Sequence, residues 1–120
     1  MKTKQTIKKL KPLLPSLKER KRYLSFKVIS NEKITDSEAV SREIWEKVLE
    51  NMGAFDAAKA GVWVLGEMYD KKEQTGIIRV GHKYVDQLKA SLLFVERIQE
   101  KDAVIKSTNV SGMVNKAKRR

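Results

Sequence analysis

Two hydrophobic periods alternate along this chain, and their order constrains its fold more than any other feature. Residues 22–29 (RYLSFKVI) place Leu24, Phe26 and Val28 on one side of an extended segment, which predicts a strand. The next apolar stripe recurs every four residues, as on the buried side of an amphipathic helix. It consists of Val40, Ile44, Val48 and Met52.

Polar residues and glycine set the predicted ends of this first helix. TDSE at 35–38 reads as a capping box, in which the Thr35 hydroxyl accepts from a first-turn amide and Glu38 reaches back. Gly53 is placed to end the helix in a left-handed conformation. The following AFDAAKAG is then a loop or a short extra turn.

The second half of the chain repeats the alternation. VWVLGEMY (62–69) and GIIRVGH (76–82) flank a polar turn at 70–74, which predicts a hairpin. A second helix is expected over 84–99, and a last strand over 102–110 that ends at Gly112. The stripe of the second helix is Val85, Leu88, Leu92 and Val95.

The resulting order β-α-β-β-α-β indicates an α+β fold of the ferredoxin-like or RNA-recognition-module-like type. A four-stranded antiparallel sheet would carry both helices on one face. The domain would span 22–112, between a basic N-terminal extension (1–21) and a basic C-terminal arm (113–120).

The second predicted strand is apolar on both sides, since both Val62/Val64/Met68 and Trp63/Leu65/Tyr69 are largely hydrophobic. Something should therefore cover the second face of the sheet, either the N-terminal LKPLLPSL, with Leu10, Leu13, Leu14 and Leu17, or another chain. Leu93 and Phe94 lie off the main stripe of the second helix, as part of a wider core stripe or of a partner surface. Candidates for a protein interface are Trp63, Leu65, Leu93 and Phe94.

The positive charge is concentrated at the two ends of the chain. The net charge is +11, with nine basic residues and one acidic residue in 1–22 and four basic residues in 113–120, whereas the middle is nearly neutral. Basic arms on a neutral body are typical of proteins that bind a polyanion, although charged termini also serve solubility. The candidate RNA-binding residues are Arg20, Lys21, Arg22, Lys27, Arg79, Lys83, Lys116, Lys118, Arg119 and Arg120.

The mode of RNA binding is constrained by the third predicted strand. An RNA-recognition module stacks bases on aromatic residues of its central strands. TGIIRVGHK contains no aromatic residue, which disfavours base reading by that route. Docking on the backbone and shape of a structured RNA, through Arg79, Lys83 and the arms, is favoured instead.

No catalytic or metal site is predicted on the chain. There is no cysteine, and His82 is the single histidine. Glu67 and Asp70 stand beside Lys71 and Lys72, as in a solvated turn. No apolar stretch could span a membrane and no secretory signal is recognised, so a cytoplasmic location is expected. A general RNA-binding or ribosome-associated protein and a small ferredoxin-like enzyme or ligand-sensing module remain alternatives.

Three segments carry a family resemblance: KRYLSFKV, GIIRVGHKYVDQLKASLLFVERI and AVIKSTNVSGMVNKAKRR. Together they resemble the archaeal ribonuclease P protein component 2 family. The resemblance implies a subunit that assists a catalytic RNA in removing the 5′ leader of precursor tRNA. It further implies that Mg²⁺ is held by that RNA with no cofactor on this chain, that protein component 3 is the close partner, that precursor tRNA is met indirectly, and that paired copies form a heterotetramer.

Overall fold

A computed structural model describes residues 20–113 of the chain. Most of both predicted extensions therefore lies outside the described residues. The same holds for the predicted cover by Leu10, Leu13, Leu14 and Leu17, and for the arm residues Lys116, Lys118, Arg119 and Arg120.

The described part of the chain is an α+β domain with two helices and one five-stranded antiparallel sheet. The strands are β1 (Lys21–Ser30), β2 (Trp63–Val64), β3 (Thr75–Gly81), β4 (Arg97–Ile98) and β5 (Lys101–Ser111). The helices are α1 (Ser37–Ala60) and α2 (Val85–Leu92), and short 3₁₀ turns cover Gly66–Met68 and His82–Tyr84. The strand order across the sheet is β2-β3-β1-β5-β4.

The core lies between the two helices and one face of the sheet. Leu24, Phe26 and Val28 of β1 are at most 1% exposed, which confirms the predicted strand and the side that it buries. They belong to one cluster with the stripes of both helices, so α1 and α2 cover the same face. The helix members of that cluster are Ala39, Val40, Ile44, Val48, Ala57 and Ala60 of α1 and Leu88 and Leu92 of α2.

Helix α1 begins one residue later and ends eight residues later than predicted. Its N-cap is Asp36, whose Oδ1 accepts from the Glu38 amide at 3.0 Å, so the assignment of the cap to Thr35 is wrong. Gly53 does have a positive φ of 84°, but its ψ of 161° only interrupts the helix, which resumes and ends at Gly61 (φ 62°, ψ 39°). The segment after Gly53, predicted to be a loop or a short extra turn, is a second helical stretch, whose buried Ala57 and Ala60 pack into the core.

The predicted hairpin forms, but its first strand is short. Only Trp63 and Val64 form a regular strand beside β3, a 3₁₀ turn follows where a strand was expected, and an isolated bridge then joins Asp70 to Thr75. The turn into β3 is held by Asp70, whose Oδ1 accepts from the amides of Lys72 (2.9 Å) and Glu73 (3.2 Å). Val64 lies opposite Ile78 on the core side and Trp63 lies on the other side, which settles the two-sided pattern of this segment.

The second helix is half as long as predicted, and a fifth strand replaces its C-terminal part. Helix α2 ends at Leu92, and bonds from the amides of Leu93 and Phe94 to the carbonyls three residues earlier tighten its end. β4 then pairs with β5 through a two-residue turn at Gln99 and Glu100, which both have positive φ (55° and 65°). The sheet consequently has five strands where four were predicted.

The face of the sheet away from the helices is called the outer face here. Cross-strand pairing places its residues in rows, because directly opposed residues of antiparallel strands point to the same side. The rows are Gly81–Lys21, Trp63–Arg79–Tyr23–Ser111, Ile77–Ser25–Asn109, Thr75–Lys27–Lys106 and Ile29–Val104. They contain four basic residues and no acidic one. The middle row is buried, since Ser25 and Ile77 are each 3% exposed.

Within 20–113, no helix combines the length and the apolar character needed to cross a lipid bilayer.

Candidate nucleic-acid interface

The start of β1 and the end of β5 lie side by side at one end of the sheet. Antiparallel pairing sets Tyr23 opposite Ser111, and Gly112 and Met113 follow directly. The basic N-terminal segment therefore enters the fold where the basic C-terminal segment leaves it. Two positively charged stretches at opposite ends of the sequence are anchored at the same place in the fold.

A surface cavity of about 590 Å³ lies between these two chain ends. Its lining is Arg20, Lys21, Arg22, Tyr23, Gly112 and Met113. The Arg22 Nη1 atom donates to the Lys21 carbonyl at 3.2 Å, which steadies that guanidinium at the rim. The His82 amide donates to the Arg20 carbonyl at 2.9 Å and so brings Lys83 to the same end. We call Arg20, Lys21, Arg22 and Lys83 the basic end.

Lys21 differs from its neighbours in having a local structural role. A Cβ added to Gly61 would lie 3.2 Å from Lys21 Nζ, so the ammonium group sits against the C-cap of α1. The C-terminus of a helix carries partial negative charge and favours a cation. Lys21 is thus partly committed to the fold, while Arg20 is exposed and Arg22 is half-buried at the cavity.

Arg79 lies on the outer face beside the basic end. It stands between Trp63 and Tyr23 in one cross-strand row, and Tyr23 also lines the basic cavity. Its Nε atom is buried, and no hydrogen-bond acceptor for it is found within the described range. The Arg79 side chain as a whole is only half-buried, and a guanidinium is a strong donor to phosphate oxygens, so the part that reaches the surface can bind an anion.

Lys27 is separated from the basic end. It lies five residues beyond Arg22 along β1, which corresponds to about 17 Å of extended strand. Its direct neighbour across the sheet is Lys106, and both side chains are exposed. Like charges placed directly opposite each other are unfavourable unless an anion lies nearby. Lys106 was absent from the sequence-based candidates because only the register reveals this pairing.

The predicted protein-interface residues lie on two different elements. Trp63, 60% exposed, lines an apolar groove of about 380 Å³ with Ser41, Trp45, Val62 and Val64, whereas Leu65 is half-buried and outside that lining. Leu93 and Phe94 follow α2 and are 79% and 57% exposed. They are not part of a wider core stripe, because the helix ends before them.

Asp70 and His82, two residues considered for catalysis, lie beside the two ends of β3. Asp70 uses its carboxylate to hold the turn before β3, and His82 is exposed after that strand. Across residues 20–113, no three His, Cys, Asp or Glu side chains come together as a metal-binding group. The described surface therefore offers groups that can bind anions.

Tyr23 and Trp63 are not among the RNA-binding residues that the sequence predicts. The third predicted strand, the one compared with an RNA-recognition module, contains no aromatic residue. The structure supplies them from the two neighbouring strands, in register with Arg79. Only the pairing register, which the sequence does not state, brings the three side chains into one row.

Comparison with known proteins places this architecture in a class. Residues 22–120 match the Rpp14/Pop5 family, and the chain belongs to that family.

Several archaeal relatives share most of their length with it. "Ribonuclease P protein component 2" of Thermococcus gammatolerans is 37% identical over 112 residues, covering 93% of this chain and 91% of the relative. The protein of the same description from Methanocaldococcus jannaschii is 38% identical over 93% of this chain and 80% of its own. That from Methanosarcina mazei is 37% identical over 90% and 89%.

A solved structure shares the fold at low sequence identity. A chain of yeast ribonuclease MRP superposes with a TM-score of 0.56 at 14% identity, covering 78% of this chain and 75% of that one. The similarity therefore concerns the arrangement of helices and strands. It extends to the α+β domain described above.

Proposed function

We propose that this chain is the RNA-binding protein subunit of ribonuclease P, which assists the catalytic RNA in removing the 5′ leader from precursor tRNA. The observation that carries the proposal is the basic end, where both positively charged terminal segments are anchored beside Arg20 and Arg22. Membership of the Rpp14/Pop5 family, and relatives described as ribonuclease P protein component 2, support the same assignment.

The mechanism is indirect. Close-packed phosphates in a folded RNA repel one another, and Arg or Lys side chains replace the condensed counterions that otherwise screen them. Arg20, Arg22, Lys83 and the C-terminal arm would neutralise such phosphates at one end of the domain, and Lys27 with Lys106 would do so farther along β1. The active fold of the RNA would then require less Mg²⁺, which the RNA itself binds, and this chain needs no cofactor.

Protein partners would use surfaces away from the basic end. The exposed pair Leu93 and Phe94 after α2 is suited to a protein interface, because large apolar side chains there gain most from losing contact with water. We propose ribonuclease P protein component 3 as the partner, and self-association of this chain as the step that joins two such pairs. Precursor tRNA would be met through the assembled RNA, in the cytoplasm.

The fold itself supports an RNA-bound role of this kind. In β2-β3-β1-β5, the two middle strands carry Tyr23 and Arg79 on the outer face. We propose that these four strands correspond to a ferredoxin-like or RNA-recognition-module-like sheet, to which β4 is an added edge.

The test is cleavage of a precursor tRNA by the cognate ribonuclease P RNA at limiting Mg²⁺, with protein component 3 present and with this chain added or omitted. We expect a large gain in cleavage that requires this chain, and a smaller gain with Arg20→Ala/Arg22→Ala. Arg42→Ala, which changes an exposed arginine on α1, is the matched control and should behave as the wild type. If the chain binds RNA tightly without increasing cleavage, it is a general binder of structured RNA and the proposal is wrong.

A further inference from the structure

Resting on the proposed function, we infer that the row formed by Trp63, Arg79 and Tyr23 is a binding site for one unpaired nucleotide of RNA. The base would stack on Trp63, and the phosphate would be held by Arg79. Arg79, proposed above as a general RNA contact, would then belong to a defined nucleotide site next to an aromatic side chain.

The row combines aromatic side chains with a cation. Single-stranded nucleic acid is bound by aromatic faces that stack on bases together with cations that hold the backbone. Trp63 is 60% exposed although it belongs to a paired strand, so its indole is offered to solvent. Arg79 lies directly opposite it and is only half-buried, so part of this cationic side chain reaches the surface beside the indole. Tyr23 completes the row on the far side of Arg79.

The charge of the outer face is complementary to that of RNA. Every ionisable residue in the paired rows of the outer face is basic, with the exception of the Tyr23 phenol, and none is a carboxylate. A polyanion therefore meets no repulsion along this face. The row is also continuous with the basic end, because Tyr23 lines both it and the 590 Å³ cavity. An RNA strand with a phosphate at Arg79 can continue past Tyr23 towards that cavity.

The site is limited to this row. Ser25 and Ile77 in the next row are buried, so the outer face does not offer a continuous platform for several bases. A single splayed nucleotide beside a structured RNA fits the available exposure better than a long single strand does. The competing assignment for Trp63 is a protein contact through the apolar groove that it lines with Trp45.

The experiment uses the full chain and two probes, a single-stranded oligouridylate of eight nucleotides and an RNA duplex of the same length. Base–aromatic stacking predicts that Trp63→Leu weakens binding of the single strand about 5- to 150-fold and leaves duplex binding nearly unchanged. Trp45→Leu, which alters the other tryptophan of the groove, is the matched control and should leave both affinities unchanged. Arg79→Gln should lower the salt slope for the single strand by about 0.7.

A second readout leaves the site intact. In a Trp45→Phe background the single remaining tryptophan is Trp63, and its fluorescence should be quenched by the oligouridylate and not by the duplex. Unchanged single-strand affinity in Trp63→Leu, together with absence of quenching, overturns the inference even though duplex binding by the basic end persists. Loss of binding to protein component 3 in that variant, with RNA binding intact, would assign Trp63 to the protein interface and also overturn it. Failure of the wild type to bind either RNA would instead refute the proposed function.

Discussion

The arginines of the basic end make a quantitative prediction about the salt dependence of RNA binding. Arg20 is exposed and Arg22 lies half-buried at the cavity, whereas the Lys21 ammonium is placed against the C-cap of α1. Two side chains are thus available to displace counterions. If each contacts one phosphate of a helical RNA, the double variant Arg20→Ala/Arg22→Ala should lower the magnitude of the slope of log K against log salt by about 1.8.

This change is large enough to measure directly. Between 0.1 and 0.4 M salt, a slope difference of about 1.8 means that the wild type loses roughly 12-fold more affinity than the variant. Filter binding or fluorescence anisotropy with the cognate ribonuclease P RNA across this range gives both slopes. Arg42→Ala is the control, because it also removes one positive charge per substituted residue but lies on α1. Among single variants of the basic end, Lys21→Ala should change the salt slope least. Parallel plots for wild type and double variant would refute the assignment of these arginines to phosphate contacts.

Three further predictions concern the fold and can be tested by urea denaturation. Gly76→Ala would bring a Cβ to 2.6 Å from the ring of buried Phe26, so we expect a loss of about 1–3 kcal/mol, while Gly66→Ala, whose nearest neighbour would be 3.8 Å away, shows no such loss. Glu100→Gly should stabilise the domain by about 0.5 kcal/mol, because glycine adopts the positive φ of 65° without strain and this gain exceeds the extra conformational entropy that glycine loses on folding. A destabilised variant would contradict the turn geometry. Burial, followed by the nearby Asp70 charge, raises the pKa of Tyr69 above its ordinary value of 10.0, so the stabilisation from its neutral phenol is complete below pH 10 and is lost as pH rises through the folded-state pKa. Tyr69→Phe should remove this component of the alkaline decline in stability, and identical pH profiles for the two proteins would count against it.

The core elements were predictable because a local pattern encodes them. The alternation around Phe26 and the four-residue spacing from Val40 to Met52 reflect which side of each element is buried, and both are confirmed. Gly112 was expected to end the last strand, and β5 indeed ends at Ser111. In each case the side chains of one short segment were sufficient to specify the local structure.

The errors arose where tertiary contacts override local signals. β4 was hidden inside an apparent helix, because Val95 continues the apolar spacing and the turn at Gln99 and Glu100 lacks the glycine or asparagine usual at positive φ. The same holds for the candidate site. Arg79 was recognised as a basic residue on a strand, but its neighbours Trp63 and Tyr23 come from segments 16 and 56 residues away in sequence, which pairing alone unites.

The lengths of the two outermost strands affect how this protein can join an assembly. β2 and β4, which bound the described sheet on either side, each contain only two residues. These two strands expose too few consecutive amide and carbonyl groups to template a neighbouring chain, whereas residues 103–111 of β5 extend past β4 and pair with β1 alone among the described strands. We expect partners to recognise β2 and β4 through the shapes and charges of their side chains and not by extending the sheet from these two strands.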